Sequence, residues 1–157
     1  MEQRSGKVCK TFIDFYDRLR RGGDCPHQDR FDVLDVMGGS ADVVPHLWTV
    51  AVHHDPRRLQ YGVLGGAIIA SGPAARSGGF IDELHPNAQD GIAFLHRAID
   101  DRALGYRRGV PLFDHEEAIA EIETAVAPFR DDLGAVAKLV CCTVFYWKDT
   151  FDPIKTL

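Results

Sequence analysis

The 157-residue sequence lacks the patterns on which most enzymes, metalloproteins and membrane proteins depend. Its four cysteines have no Cys-x-x-Cys spacing, which excludes the common zinc and thioredoxin-like motifs. No G-x-G-x-x-G, G-K-S/T or G-x-S-x-G sequence is present, so neither a phosphate loop nor a nucleophile elbow is indicated. The longest apolar run, residues 139–147, is about half the length of a membrane helix. With no signal peptide near Met1, we expect a cytoplasmic protein without a catalytic or metal site.

Basic patches are also scarce. The formal net charge is −5, with 45% apolar and 26% charged residues, a composition typical of one globular domain. Arginines gather only in short groups flanked by acids, such as Arg57-Arg58 and Arg107-Arg108, and this pattern favours a solvated surface. A nucleic-acid partner is therefore not expected.

Residues 10–21 predict an amphipathic helix that ends at Gly22-Gly23. Its apolar stripe has the i, i+3, i+4, i+7 spacing of one helical face and consists of Phe12, Phe15, Tyr16 and Leu19. The stripe has two possible partners, the body of the same chain or a second copy in a homodimer. With the irregular linker that follows, this helix accounts for residues 1–42.

Alternation and turn residues predict most of the remaining elements. A hairpin is expected at 45–54 and 59–65, and short helical pieces at 67–70 and 80–84. A longer helix begins near Asn87 and places Ile92, Leu95, His96 and Ile99 on one face. Strands are expected at 106–113 and 134–147, the second covered on both sides. Residues 116–127 have the composition of a helix.

Four segments of the sequence form an ordered set: the helix end FYDRLRRG at 15–22 with Pro26, the strand LQYGVLGG at 59–66, the helix GFIDEL at 79–84 and the turn PFRDDLG at 128–134. This set resembles a bacterial family of PAS-like domains. The sequence departs from the family at Gly62, where a basic residue is usual, and in the loop 73–77.

The resemblance implies an α+β, PAS-like fold with an antiparallel sheet of about five strands, helices on one face and an extra N-terminal helix. It makes residues 43–148 the core and 149–157 a short tail. It also predicts a strand at residues 121–129, although their composition is typical of a helix. We expect a stand-alone, non-catalytic sensory domain that binds a small ligand or a partner protein. With no kinase, cyclase or DNA-binding region of its own, it would pass its signal to another protein.

Such a fold encloses an apolar cavity between sheet and helices, the usual form of a small-molecule site. The last strand is expected to turn alternate residues inward, because Lys138 belongs on the opposite face. The predicted ligand-binding residues are Phe80, Leu84, Leu95, His96, Ile99, Leu139, Cys141 and Thr143.

Two other functions are compatible with the sequence. One is a small α+β enzyme of the cone or hot-dog type acting on an apolar substrate, which a polar dyad inside the cavity would favour. The other is a gas or redox sensor that binds haem through His96, since a neutral imidazole suits haem iron. No other cofactor is indicated.

Overall fold

The computed structural model describes residues 6–32, 41–72, 74–113 and 117–148. Four α-helices and five strands form its framework, together with short 3₁₀ turns at Gln28–Arg30 and Ala41–His46. The helices are α1 Lys7–Arg20, α2 Gly66–Ser71, α3 Ile81–Leu84 and α4 Gln89–Asp101. The strands are β1 Leu47–His53, β2 Arg58–Leu64, β3 Gly105–Gly109, β4 Ile119–Arg130 and β5 Val136–Trp147. None of the described helices has the length and apolarity needed to cross a membrane.

The five strands form one antiparallel sheet in the order β2-β1-β5-β4-β3. Long strands β4 and β5 are joined by a tight turn in which the Asp131 carboxylate accepts hydrogen bonds from the backbone N–H groups of Leu133 and Ala135. Gly134 completes this turn with a φ of +89°, a conformation that favours glycine. The predicted α+β class is therefore confirmed, with the element order that the PAS resemblance implies.

Both faces of the sheet are covered. Alternate residues of β5 divide between them, so that Leu139 and Cys141 face α2, α3 and α4, whereas Val140 and Cys142 face α1. The predicted inward face of β5 is thus correct. The helices α2, α3 and α4 pack on one face as expected, and the extra N-terminal helix α1 lies on the reverse side of the sheet.

The apolar stripe of α1 packs against its own chain. Phe12, Phe15 and Tyr16 are buried, and Leu19 packs at the edge of the same cluster. The Tyr16 hydroxyl donates a hydrogen bond to the Pro128 carbonyl at 2.7 Å. Burying each of these aromatic side chains contributes about 2 kcal/mol. Of the two partners expected for this stripe, the structure shows the body of the same chain, and a homodimer stays a prediction.

The start of α1 is held by a buried carboxylate. Glu123 on β4 is fully buried and accepts hydrogen bonds from the Gly6 backbone N–H at 2.8 Å and from the hydroxyls of Tyr106 at 2.6 Å and Tyr146 at 2.9 Å. Gly6 is the N-cap residue and has no side chain to cap the helix. The Glu123 carboxylate therefore supplies from β4 both the acceptor and the negative charge that a helix N-terminus favours.

The predicted elements are present with shifted ends. Helix α1 begins three residues earlier than expected, and β3 ends at Gly109 rather than near residue 113. The segment with helical composition is strand β4, because residues 122–129 are all buried and divide alternately between the two layers. The linker that follows α1 contains the 3₁₀ turn Gln28–Arg30, and its residues 33–40 lie outside the described part.

The glycine that departs from the family pattern has a local cause. A Cβ at Gly62 would lie 2.4 Å from Oγ1 of Thr49 on the neighbouring strand. That Oγ1 accepts a hydrogen bond from the Val63 backbone N–H at 2.9 Å, where the β1–β2 register shifts. The Thr49 side chain thus fills the space that a basic residue at position 62 would need.

Replacing Glu123 tests the anchor of α1. We expect Glu123→Ala to lower the free energy of unfolding by about 3 kcal/mol, because three donors lose a buried charged acceptor. The matched control is Glu121→Ala two residues away, which breaks a partly exposed pair with Arg108 and should cost less than about 1 kcal/mol. Urea unfolding measures both, and equal losses would contradict the role of Glu123.

Candidate functional site

A cavity of about 70 Å³ lies between the sheet and the helices α2 and α4. Most of its lining is apolar and comes from β1, β2, the two helices, the segment after β3, and the strands β4 and β5. The lining residues are Trp48, Tyr61, Ile68, Gly72, Ala75, His85, Phe94, Leu95, Arg107, Pro111, Leu112, Phe113, Ile122, Thr124, Thr143 and Phe145.

A row of hydrogen-bonding side chains crosses the cavity face of the sheet. The Trp48 indole N–H donates to the Thr143 Oγ1 at 2.9 Å, and this oxygen lies 3.0 Å from the Thr124 Oγ1. Thr143 and Thr124 are directly opposite in the β4–β5 pairing, and Thr124 is opposite Arg107 in the β3–β4 pairing. Opposite residues of antiparallel strands share a face. The register therefore brings indole, two hydroxyls and a guanidinium to one side.

A second polar pair lines the cavity near the helices. The Tyr61 hydroxyl lies 2.8 Å from the His85 Nε2, and both residues are buried. His85 follows the last residue of α3, so β2 and the end of a short helix together create the pair. Their rings also contact at an angle of 77°. A hydrogen-bonded tyrosine–histidine dyad is therefore built into the apolar wall.

One aromatic ring closes the cavity beside this dyad. The Phe113 ring stacks edge-on against His85, with 5.1 Å between centroids. It also lies against Gly91 in the first turn of α4, where a Cβ would approach the ring to 2.7 Å. A glycine at position 91 is therefore required for Phe113 to occupy this position.

Arg107 turns inward although its neighbour stays at the surface. Arg108 pairs with Glu121 at 3.0 Å and covers the Tyr146 ring. Arg107, on the other face of β3, lines the cavity, and its Nη1 is the buried side-chain polar atom that lacks a hydrogen-bond partner in the described part of the chain. The expectation that both arginines are solvated is therefore wrong for Arg107.

The predicted ligand-binding residues fall into three groups. Leu95 and Thr143 line the cavity. Ile99, Leu139 and Cys141 are buried in the core on the same side of the sheet without lining it, and Leu84 packs at the edge of that core. Phe80 and His96 lie outside, where Phe80 packs under the Arg58 guanidinium. Whether any of them contacts a ligand stays a prediction.

His96 belongs to a separate polar crevice rather than to the cavity. Its Nδ1 lies 3.4 Å from the Arg57 Nη1, and Arg57 also pairs with Asp100 at 2.8 Å. Burial, and secondarily the charge of Arg57, lowers the pKa of His96. The expected position of His96 at the cavity is therefore corrected, and a haem bound there would have no axial histidine from this residue.

Several cavity residues were not predicted from the sequence: Trp48, Tyr61, His85, Arg107 and Thr124. Strand alternation could have indicated Thr124 and Arg107, because each is opposite an inward residue once the register is known. Tyr61 and His85 are 24 residues apart, and no local pattern predicts their contact.

No protein-family model and no curated protein matches the chain. Among solved structures, a sensory box sensor histidine kinase from Vibrio cholerae is similar, with 12% sequence identity and a TM-score of 0.47. The match covers 75% of this chain and 98% of the other. A likeness this distant supports no conclusion about ligand, partner or activity.

Removing one hydroxyl should disrupt the polar row. We expect Thr143→Val to lower the free energy of unfolding by about 2 kcal/mol, because it leaves the Trp48 indole N–H without its acceptor in a buried site. The indole N–H resonance of Trp48 should move upfield in the ¹⁵N NMR spectrum. Thr143→Ser keeps the hydroxyl and should leave that resonance nearly in place. An equal shift in both variants would contradict the hydrogen bond.

The environment of His96 predicts that the stability of the protein depends on pH. A lowered pKa means that the folded state favours the neutral imidazole of His96. The contribution of His96 to the free energy of unfolding is therefore fully present above the ordinary pKa of 6.5, and it is lost as the pH falls through the folded-state pKa. NMR titration should place the His96 midpoint below 6.5. Arg57→Ala should raise the midpoint in part, since burial remains, whereas Arg58→Ala should leave it unchanged. A midpoint unaffected by Arg57→Ala would refute the contribution of that charge.

Proposed function

We propose that the protein is a PAS-like sensory or regulatory domain, a member of the bacterial family it resembles, that binds a small ligand without transforming it. The observation that carries the proposal is the cavity, an apolar space with a few convergent polar groups, which is the usual form of a small-molecule site. The sheet order and the position of the cavity between sheet and helices agree with this function.

The size of the cavity sets the class of ligand. About 70 Å³ is roughly half of the 150 Å³ that holds a benzene molecule in an engineered cavity. A ligand of a few non-hydrogen atoms fits the cavity as it stands. A haem would need a much larger space, so the haem alternative has no support from this geometry.

The signal would pass to another protein, and the sheet offers a connection to the outside. Thr124 on the cavity side and Glu123 on the α1 side are adjacent in β4. A homodimer, if it forms, would use a surface other than the buried stripe of α1. We expect the domain to act in the cytoplasm, where its four buried cysteines would stay free thiols.

A small enzyme is the second candidate, and the Tyr61–His85 dyad favours it. A histidine hydrogen-bonded to a tyrosine is an arrangement capable of general acid–base chemistry. The dyad is equally suited to orienting a ligand by hydrogen bonds, which needs no further group. The two functions differ in whether the bound molecule leaves unchanged.

Ligand binding can be tested by filling the cavity. Native and denaturing mass spectrometry of freshly purified protein should reveal a retained small molecule, and a screen of small compounds by thermal shift should find stabilising ones. Ala75→Phe should abolish both effects, because Ala75 lines the cavity. The control is Ala93→Phe on the exposed side of α4, which should behave like the wild type.

The mass of the released compound separates the two candidates. Recovery of the applied compound unchanged after long incubation supports a sensor. A product that the wild type forms and that His85→Phe does not form supports the enzyme. If no compound is retained and none stabilises the wild type more than Ala75→Phe, the cavity is not a binding site and the proposal fails.

A further inference from the structure

We propose that the ligand of the cavity is a small monocarboxylate whose charge pairs with the Arg107 guanidinium while its short apolar part fills the space between sheet and α4. This inference rests on the proposed function, since it names the chemical class of ligand for the same cavity. Three observations carry it: the inward Arg107 with its buried and unpartnered Nη1, the Thr124 hydroxyl on the same face, and the apolar walls.

The first observation is an unbalanced charge. Burying a charged group without a partner is costly, and native proteins pair such groups almost without exception. Arg107 has its Nη1 buried without a hydrogen-bond partner in the described part of the chain, and the Asp and Glu residues of that part do not line the cavity. Arginine is the side chain best suited to bind a carboxylate, since its planar donors match the two oxygens.

The second observation is the hydroxyl at the end of the hydrogen-bond row. The Thr143 oxygen accepts from the Trp48 indole N–H and lies 3.0 Å from the Thr124 oxygen, and either hydroxyl of this pair can be the donor. When Thr143 donates, the proton of the Thr124 hydroxyl is left for a further acceptor. Thr124 is opposite Arg107 in the β3–β4 pairing, so the row then presents a donor on the same face as the guanidinium. A bound anion favours this orientation.

The third observation distinguishes an organic acid from an inorganic anion. Most of the other side chains that line the cavity are apolar, among them Phe94, Leu95, Leu112 and Ile122. An inorganic anion would leave these walls uncovered, whereas a short hydrocarbon part would bury them. The volume of about 70 Å³ limits this part to a few carbon atoms.

The test compares acids with neutral molecules of the same shape. Acetate, propionate, butyrate and isobutyrate are titrated by calorimetry against wild-type protein, beside the corresponding amides and sodium chloride. We expect at least one acid to bind about tenfold more tightly than its amide, because hydrogen bonds to a charged acceptor are the stronger ones. The same acid should raise the Tm of the protein, and chloride should not.

The variants assign the preference to Arg107. Arg107→Met should remove the difference between acid and amide, whereas Arg108→Met should retain it, since Arg108 is on the other face of β3. Without ligand, Arg107→Met should unfold at a higher urea concentration than the wild type, because an unpartnered buried charge is lost. Arg107→Lys should keep part of the preference.

The outcomes separate this inference from the proposed function. Amides or neutral apolar compounds that bind as tightly as acids, and are excluded by Ala75→Phe, would support a ligand cavity but overturn the carboxylate. Chloride that matches the acids, or an acid preference that persists in Arg107→Met, would also overturn it. If no compound binds, both proposals fail together.

Discussion

The burial of β5 on both of its faces is the constraint on which the rest of the molecule depends. Its neighbours β1 and β4 satisfy its backbone hydrogen bonds, and its side chains require an apolar layer above and below. Helix α1 supplies one layer, and the helices between β2 and β3 supply the other. A chain with this central strand therefore cannot leave α1 undocked without exposing Val140 and Cys142 to water.

The cavity occupies a part of this double layer where the strand interior is polar. Along one face of β5, the apolar residues Leu139 and Cys141 are followed by the polar residue Thr143. The threonine needs hydrogen-bond partners, which Trp48 and Thr124 provide. The cavity lies over this row, and the Phe113 ring borders it beside His85. Local polarity and empty space thus occur at the same place in the fold.

The sequence patterns predicted the fold better than the site, for a physical reason. Strand and helix periods are local, so β1, β2, β5 and α4 were found within a few residues of their ends. Strand β4 needed the family resemblance, because its alanines and glutamates have helical propensity that tertiary packing overrides. The site depends on register between distant strands. Arg107 and Arg108 are adjacent and identical in the sequence. Because neighbouring residues of a strand lie on opposite faces, Arg108 pairs with the Glu121 carboxylate and Arg107 lines the cavity.

Glu123 and its neighbour Thr124 belong to two different sites on opposite faces of the sheet. One peptide bond separates Glu123 from Thr124, so the residue that anchors α1 and a residue of the cavity floor are neighbours in β4. Their side chains lie on opposite faces of the sheet. The cavity and the first turn of α1 are therefore separated by the thickness of a single strand.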